Sequence, residues 1–229
     1  MRDTPPQGKD AAMTTSGPAT QRQTMVDTQL KTVAVTDAAV LAAFADTPRE
    51  TFLPPALAGL AYADAAHEVA RGRHLLAPLA LALLLQHAGV QPGNRVLVVG
   101  SATGYSAAII ARIGAQVTAL ESDAGLAEMA ATQMATAGVT GVIGPLVDGW
   151  APAAPYDLIL FEGSIEIVPA AIAAQLAPAG RIAAVLRQSG VGRGFVGTLT
   201  PAGMPAGLPF IEMAAPVLPG FDHAREFAF

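Results

Sequence analysis

The chain has no cysteine, which removes disulfides, thiolate nucleophiles and cysteine-based zinc sites together. Aromatic residues make up only 5% of its 229 residues, too few for a stacking platform on single-stranded nucleic acid. Charge is scarce as well, at 14%, with 13 Lys and Arg against 18 Asp and Glu for a net −5. Without clustered cations, neither a nucleic-acid surface nor an anionic-membrane surface is expected. The longest apolar run, Leu75 to Leu85, has 11 residues with Pro78 inside it, where about 18 are needed to span a bilayer. The opening MRDTPPQGKD lacks the apolar stretch of a secretory signal, so the expected location is cytoplasmic. His67, His87 and His223 are far apart without ligand spacing, and no metal site is expected.

What is abundant is apolar: 52% of the residues are hydrophobic, enough for one full core, and the length fits one large domain or one with an appended subdomain. Residues 1–24, rich in Pro, Thr, Gln and Ser, read as a flexible arm. Residues 25–90 read as a helical amino-terminal subdomain. In it, Thr36 caps a helix carrying Val40, Leu41 and Phe44, Arg71-Gly72-Arg73-His74 forms a polar loop, and a buried helix runs from Leu75 to Ala88.

Residues 91–229 alternate strand and helix. Strands are expected at 95–99, 117–121, 145–147, 156–161 and 181–186. Helices are expected at 105–113, 125–137 (with Asp123 as a possible cap) and 168–176, and two weaker strands at 195–199 and 210–213 form an antiparallel edge. Continuous apolar strands between helices of about ten residues predict an α/β fold with a mostly parallel sheet covered on both faces.

The sharpest local signal is VLVVGSATGYSAA, residues 96–108, followed by Glu121 at the end of the next strand. In open α/β sheets a ligand lies outside the carboxyl ends of the strands, over the first strand-to-helix turn. Gly100 and Gly104 let backbone approach it, and an acid about 20 residues on suits the ribose hydroxyls. The G-x-x-x-G spacing departs from the G-x-G-x-x-G of a pyrophosphate site, so a nucleoside without phosphates fits better than NAD. A bound ligand, or a mere tight turn, remain the two readings of the glycines.

The chain resembles the protein-L-isoaspartate O-methyltransferase family, a Rossmann-like class I group of S-adenosylmethionine-dependent methyltransferases. The likeness covers roughly residues 25–187. It includes Met25-Val26, Gln29-Leu30, Pro48-Arg49-Glu50, Phe52, Pro54, Ala61-Tyr62 and Asp64, then Gly100, Gly104-Tyr105 and Ala107-Ala108. Val147-Asp148-Gly149 stands for the family's Gly-Asp-Gly, and Leu176-Ala177-Pro178-Ala179-Gly180-Arg181 for its Leu-Lys-Pro-Gly-Gly-Arg. The resemblance implies S-adenosylmethionine as cofactor and S-adenosylhomocysteine as product, held by Gly100, Ser101, Ala102, Gly104, Tyr105, Glu121, Asp148 and Gly149. It implies methyl transfer to a carboxylate of damaged aspartyl residues in a protein or peptide.

Three positions depart from the family pattern. Its Thr-Ile-Ser-Gln-Pro aligns with His74-Leu75-Leu76-Ala77-Pro78, so the family's catalytic serine is Leu76. Val98 stands where the family has the carboxylate near the methionine ammonium, and Ala102 replaces a glycine of the turn. The resemblance therefore leaves the catalytic residue unknown, and a diverged non-catalytic homologue with a binding or regulatory role stays open. Arg71, Arg73 and His74 could instead attract a substrate carboxylate, or form a solvated basic loop. Ser164 and Glu162, leaving the strand YDLILF, could supply a hydroxyl and an ammonium partner. Trp150 could wall an adenine pocket or cover the core.

Overall fold

The computed structural model describes residues 16–70, 72–200 and 203–223. Most of the arm expected over residues 1–24 lies outside them, and its last stretch is helical. The helices and strands in chain order are α1 (Pro18–Met25), α2 (Ala38–Asp46), β1 (His67–Ala70), β2 (Arg73–Leu75), α3 (Pro78–Ala88), β3 (Arg95–Val99), α4 (Tyr105–Ile113), β4 (Gln116–Glu121), α5 (Ala124–Ala137), β5 (Thr140–Ile143), β6 (Tyr156–Ile165), α6 (Ala170–Ala173), β7 (Leu176–Gln188), β8 (Val191–Leu199), β9 (Pro205–Ala206) and β10 (Ile211–Glu212). The central sheet has the order β10-β8-β7-β6-β3-β4-β5, with β9 beside β8. Strands β7, β6, β3, β4 and β5 are parallel, whereas β8 and β10 form the antiparallel edge that the sequence predicts.

Period-two alternation divides the core. Val96, Val98, Leu158 and Leu160 face the side packed by Met25, Leu30, Phe44, Leu84, Ile109 and Met134, so the amino-terminal helices share one core with the sheet. Leu97, Val99, Ile159 and Phe161 face the other side. There the cover is thin: Leu146, Ile172 of the one-turn helix α6, and the carboxyl-terminal residues Leu218 and Phe221. Among the described residues no helix is long and apolar enough to cross a membrane.

Several elements differ from the sequence expectation, each for a local reason. Asp37, not Thr36, caps α2, accepting from the N–H groups of Ala39 and Val40 at 2.8 and 3.0 Å. Asp123 caps α5 as expected, through Leu126 N–H at 3.0 Å. The strand expected at 145–147 is a helical turn over Leu146–Asp148, and the strand is instead Thr140–Ile143, paired with Thr118–Glu121. Pro145 follows that strand and starts the turn. The helix expected at 168–176 shrinks to Ala170–Ala173 because β7 begins at Leu176, opposite Tyr156, and bulges before Arg181 meets Leu158.

The largest difference is at residues 67–75, where the expected polar loop is a hairpin of β1 and β2. Leu75 therefore belongs to a strand, and α3 starts at Pro78 in its first turn. Arg73 and Leu75, two apart, both point inward and are buried. Arg71, the other arginine of that loop, lies outside the described residues.

Candidate functional site

Strands β3, β4 and β5 step outward in one direction, and the chain then returns to place β6 on the far side of β3. The carboxyl ends of β3 and β6 therefore flank a topological switch point, where open α/β sheets bind ligands.

From the end of β3 the chain turns through Gly100 and Ser101, whose N–H groups both donate to Leu120 C=O, at 2.9 and 3.0 Å. Gly100 (φ +78°) and Gly104 (φ +90°) occupy the left-handed region, as does Ala102 (φ +50°). Glycine bears that conformation without a Cβ penalty, and alanine does not. Gly104 leads directly into α4. Glu121 ends β4 beside this turn, its Oε2 accepting from Ala102 N–H at 2.8 Å. Its Oε1 accepts from the N–H groups of Ser122 and Asp123 at 2.7 and 3.0 Å. Gly100, Ser101, Ala102, Gly104 and Glu121 thus come together.

The remaining candidates lie around them. Tyr105 is fully buried, its ring against Phe44 and Phe52, with the Arg49 guanidinium 4.6 Å above the ring centroid. Asp148 is exposed, and Gly149 after it is buried with φ +63°. The turn they form is held by Gln175, a residue that the sequence does not single out. Its Nε2 donates to Asp148 C=O at 2.6 Å and its Oε1 accepts from Trp150 N–H at 2.7 Å. Trp150 packs, partly buried, against the second core.

Glu162 and Arg49 grip the backbone of Leu76, which the sequence resemblance sets against the family's serine. Leu76 N–H donates to Glu162 Oε1 at 3.0 Å, and Arg49 Nη2 donates to Leu76 C=O at 2.8 Å. Leu76 itself is buried in the first core, as is Val98. Burial pushes the Glu162 carboxyl above the usual range, while Ser106, Leu76 N–H and the charges of Arg49 and Arg73 pull it back. Burial likewise lowers the Arg49 guanidinium, against the opposing influence of Tyr105 and Glu162. Ser164 is buried with its hydroxyl unpartnered among the described residues.

The space over the turn is filled by the protein itself. Arg73 is no part of a solvated basic loop: its Nη2 sits 2.6 Å from Glu121 Oε2 and its Nε 3.2 Å from Oε1, with both side chains buried. A Cβ placed on Gly100 would lie 2.7 Å from Leu218 Cδ1 and 3.0 Å from Arg73 Nη2. A nucleoside laid over Gly100 and reaching Glu121 would need the volume that Leu218 and Arg73 take. In this arrangement the residues do not admit it.

The family model for protein-L-isoaspartate(D-aspartate) O-methyltransferase matches residues 20–191. A protein-L-isoaspartate O-methyltransferase of Methylorubrum extorquens (strain PA1) is 43% identical over 72% of this chain and 73% of its own length. One from Rhodopseudomonas palustris (strain HaA2) is 36% identical over 72% of this chain and 68% of its own. A solved protein-L-isoaspartate O-methyltransferase is similar with a TM-score of 0.63 at 25% identity, over 81% of this chain. The chain spans 66% of that structure, just under two thirds. A Plasmodium falciparum structure, solved in complex with S-adenosyl-L-homocysteine, shares the fold with a TM-score of 0.72 at 16% identity, over 86% of this chain and 97% of that one. With the glycine turn, the acid ending the second parallel strand and this match along three quarters of its length, the chain belongs to the protein-L-isoaspartate O-methyltransferase family.

Proposed function

We propose that this protein is an S-adenosylmethionine-dependent methyltransferase that esterifies a carboxylate of damaged aspartyl residues in cytoplasmic proteins or peptides. The observation that carries this reading is the first turn of the sheet. There Gly100 to Gly104 pass beneath the switch point and Glu121, from the neighbouring strand, is hydrogen-bonded into the same turn. S-adenosylmethionine is the cofactor of the family. We assign its contacts here to Gly100, Ser101, Ala102, Gly104, Tyr105, Glu121, Asp148 and Gly149, in a form of the molecule from which Leu218 and Arg73 have withdrawn. A substrate carboxylate is already ionised at pH 7 and asks for positioning more than for a general base.

One observation favours a second reading, a non-catalytic homologue with a binding or regulatory role. Leu76 places a buried side chain where the family has its serine, and an apolar contact leaves part of a polar substrate group unpaired at about 1–3 kcal/mol.

Calorimetric titration of the full chain with S-adenosylmethionine, followed by methylation of an isoaspartyl peptide against its aspartyl counterpart, separates the two. Micromolar binding with transfer selective for the isoaspartyl peptide is the expected result. No heat up to millimolar cofactor, from the full chain and from its Leu218→Ala variant alike, overturns the enzyme reading and leaves the second.

A further inference from the structure

The carboxyl-terminal segment passes the switch point and pairs with the end of β6 through a single parallel bridge. Ser164 N–H donates to Pro216 C=O at 2.7 Å and Leu218 N–H to Ser164 C=O at 2.9 Å, with Val217 bridged in parallel to Ser164. Further on, the N–H groups of Glu166 and Ile167 both donate to Phe221 C=O, at 2.9 and 3.1 Å. Arg187 ties the end down, 2.9 Å from Glu166 and 2.5 Å from Asp222.

Two side chains of this segment, Leu218 and Phe221, are buried. Leu218 is 1% exposed and wedges between the two strand ends, touching the space above both Gly100 and Gly163. A Cβ on Gly163 would stand 3.0 Å from Leu218 Cβ, so a glycine at each end is what admits the leucine. Phe221 is fully buried with its ring edge-on to Phe161, at 5.4 Å between centroids. Pro219 reaches the space above Gly72 in the hairpin, and Val147, next to Asp148, reaches the space above Gly220. The segment therefore extends from the hairpin past the glycine turn to the Asp148 loop, along the positions assigned above to the cofactor. Arg73 closes the remaining side by taking both oxygens of Glu121.

We propose that residues 216–223 and Arg73 form an intramolecular plug that competes with the cofactor for the switch-point crevice, making this chain a self-closed methyltransferase. The proposal rests on the cofactor reading given above. Apparent affinity then equals intrinsic affinity scaled by the fraction of molecules with the segment withdrawn. Any partner that captures the segment would raise that fraction.

The test is a reversible lock, which the absence of native cysteine makes clean. Bridge partners have the Cα separation a disulfide requires, so a full-length Ser164→Cys, Val217→Cys double variant pins the segment when oxidised and frees it when reduced. S-adenosylhomocysteine is titrated calorimetrically into both forms, and into Leu218→Ala. The oxidised form is expected to bind at least tenfold more weakly than the reduced form, and Leu218→Ala at least tenfold more tightly than wild type. In wild type, hydrogen exchange at the Leu218 amide is expected to accelerate on adding S-adenosylhomocysteine. Equal affinity of oxidised and reduced forms overturns the plug and leaves the cofactor reading standing. Slower exchange at Leu218 makes the segment a lid over the bound nucleoside and overturns competition. No binding in any form, Leu218→Ala included, overturns the cofactor reading and the plug with it.

Discussion

Arg73 and Glu121 face each other as a buried bidentate ion pair, joining a hairpin to the end of β4 across 48 residues of chain. The two partners are not equivalent. Glu121 also accepts from the N–H groups of Ala102, Ser122 and Asp123, so its charge keeps partners when the guanidinium is removed. Arg73 donates to no other carboxylate among the described residues. Glu121→Ala should therefore cost about 3–5 kcal/mol, the penalty of an orphaned buried charge. Arg73→Ala should cost less, about 1–3 kcal/mol. Urea unfolding of the two variants checks the order, and a larger loss from Arg73→Ala contradicts it.

Glu162 gives the fold a pH dependence of defined sign. Burial raises its folded pKa above the unfolded value of about 4.3. Between those two values the folded state holds the extra proton, so stability falls as pH rises through that window and levels off above it. Glu162→Gln cannot ionise and its amide oxygen can still accept from Leu76 N–H. The difference in unfolding free energy should thus shift in the variant's favour as pH rises from about 4, then become constant. A difference that does not change between pH 4 and 8 would contradict the assignment.

Gln175 reaches back 27 residues to hold the Asp148 turn. Gln175→Ala leaves Asp148 C=O and Trp150 N–H without their partner, at about 1–3 kcal/mol. Trp150 is the chain's only tryptophan, so its emission reports the turn directly. The variant should unfold at lower denaturant and show red-shifted native emission. Unchanged emission with unchanged stability would mean that the turn holds itself.

The elements that the sequence makes legible are those whose reason is local. β3 is a continuous apolar run stopped by a glycine, α4 opens at Gly104, β4 ends at Glu121 and α5 begins at its Asp123 cap. Each is specified by neighbours a few residues away, through periodicity, capping and turn chemistry. The glycine turn and Glu121 could be found together for the same reason, and they do meet.

What stayed hidden depends on partners far along the chain. Arg71-Gly72-Arg73-His74 has the composition of a solvated loop, and only Glu121 makes Arg73 a buried residue. Glu162 lies at the end of a strand plainly visible as YDLILF, but its hold on Leu76 spans 86 residues. The tail 216–223 is assigned no element from the sequence, because its path is set by pairing with Ser164 and by Phe221 packing against Phe161.

The sequence by itself determined the parallel sheet, the turn beneath its switch point and the acid beside it, since backbone propensity and apolar period act over a few residues. Tertiary structure alone decided what fills the crevice above that turn. An arginine buried by a distant carboxylate and a leucine admitted by glycines at the carboxyl ends of two strands are set by proximity in space, which no stretch of this chain encodes locally.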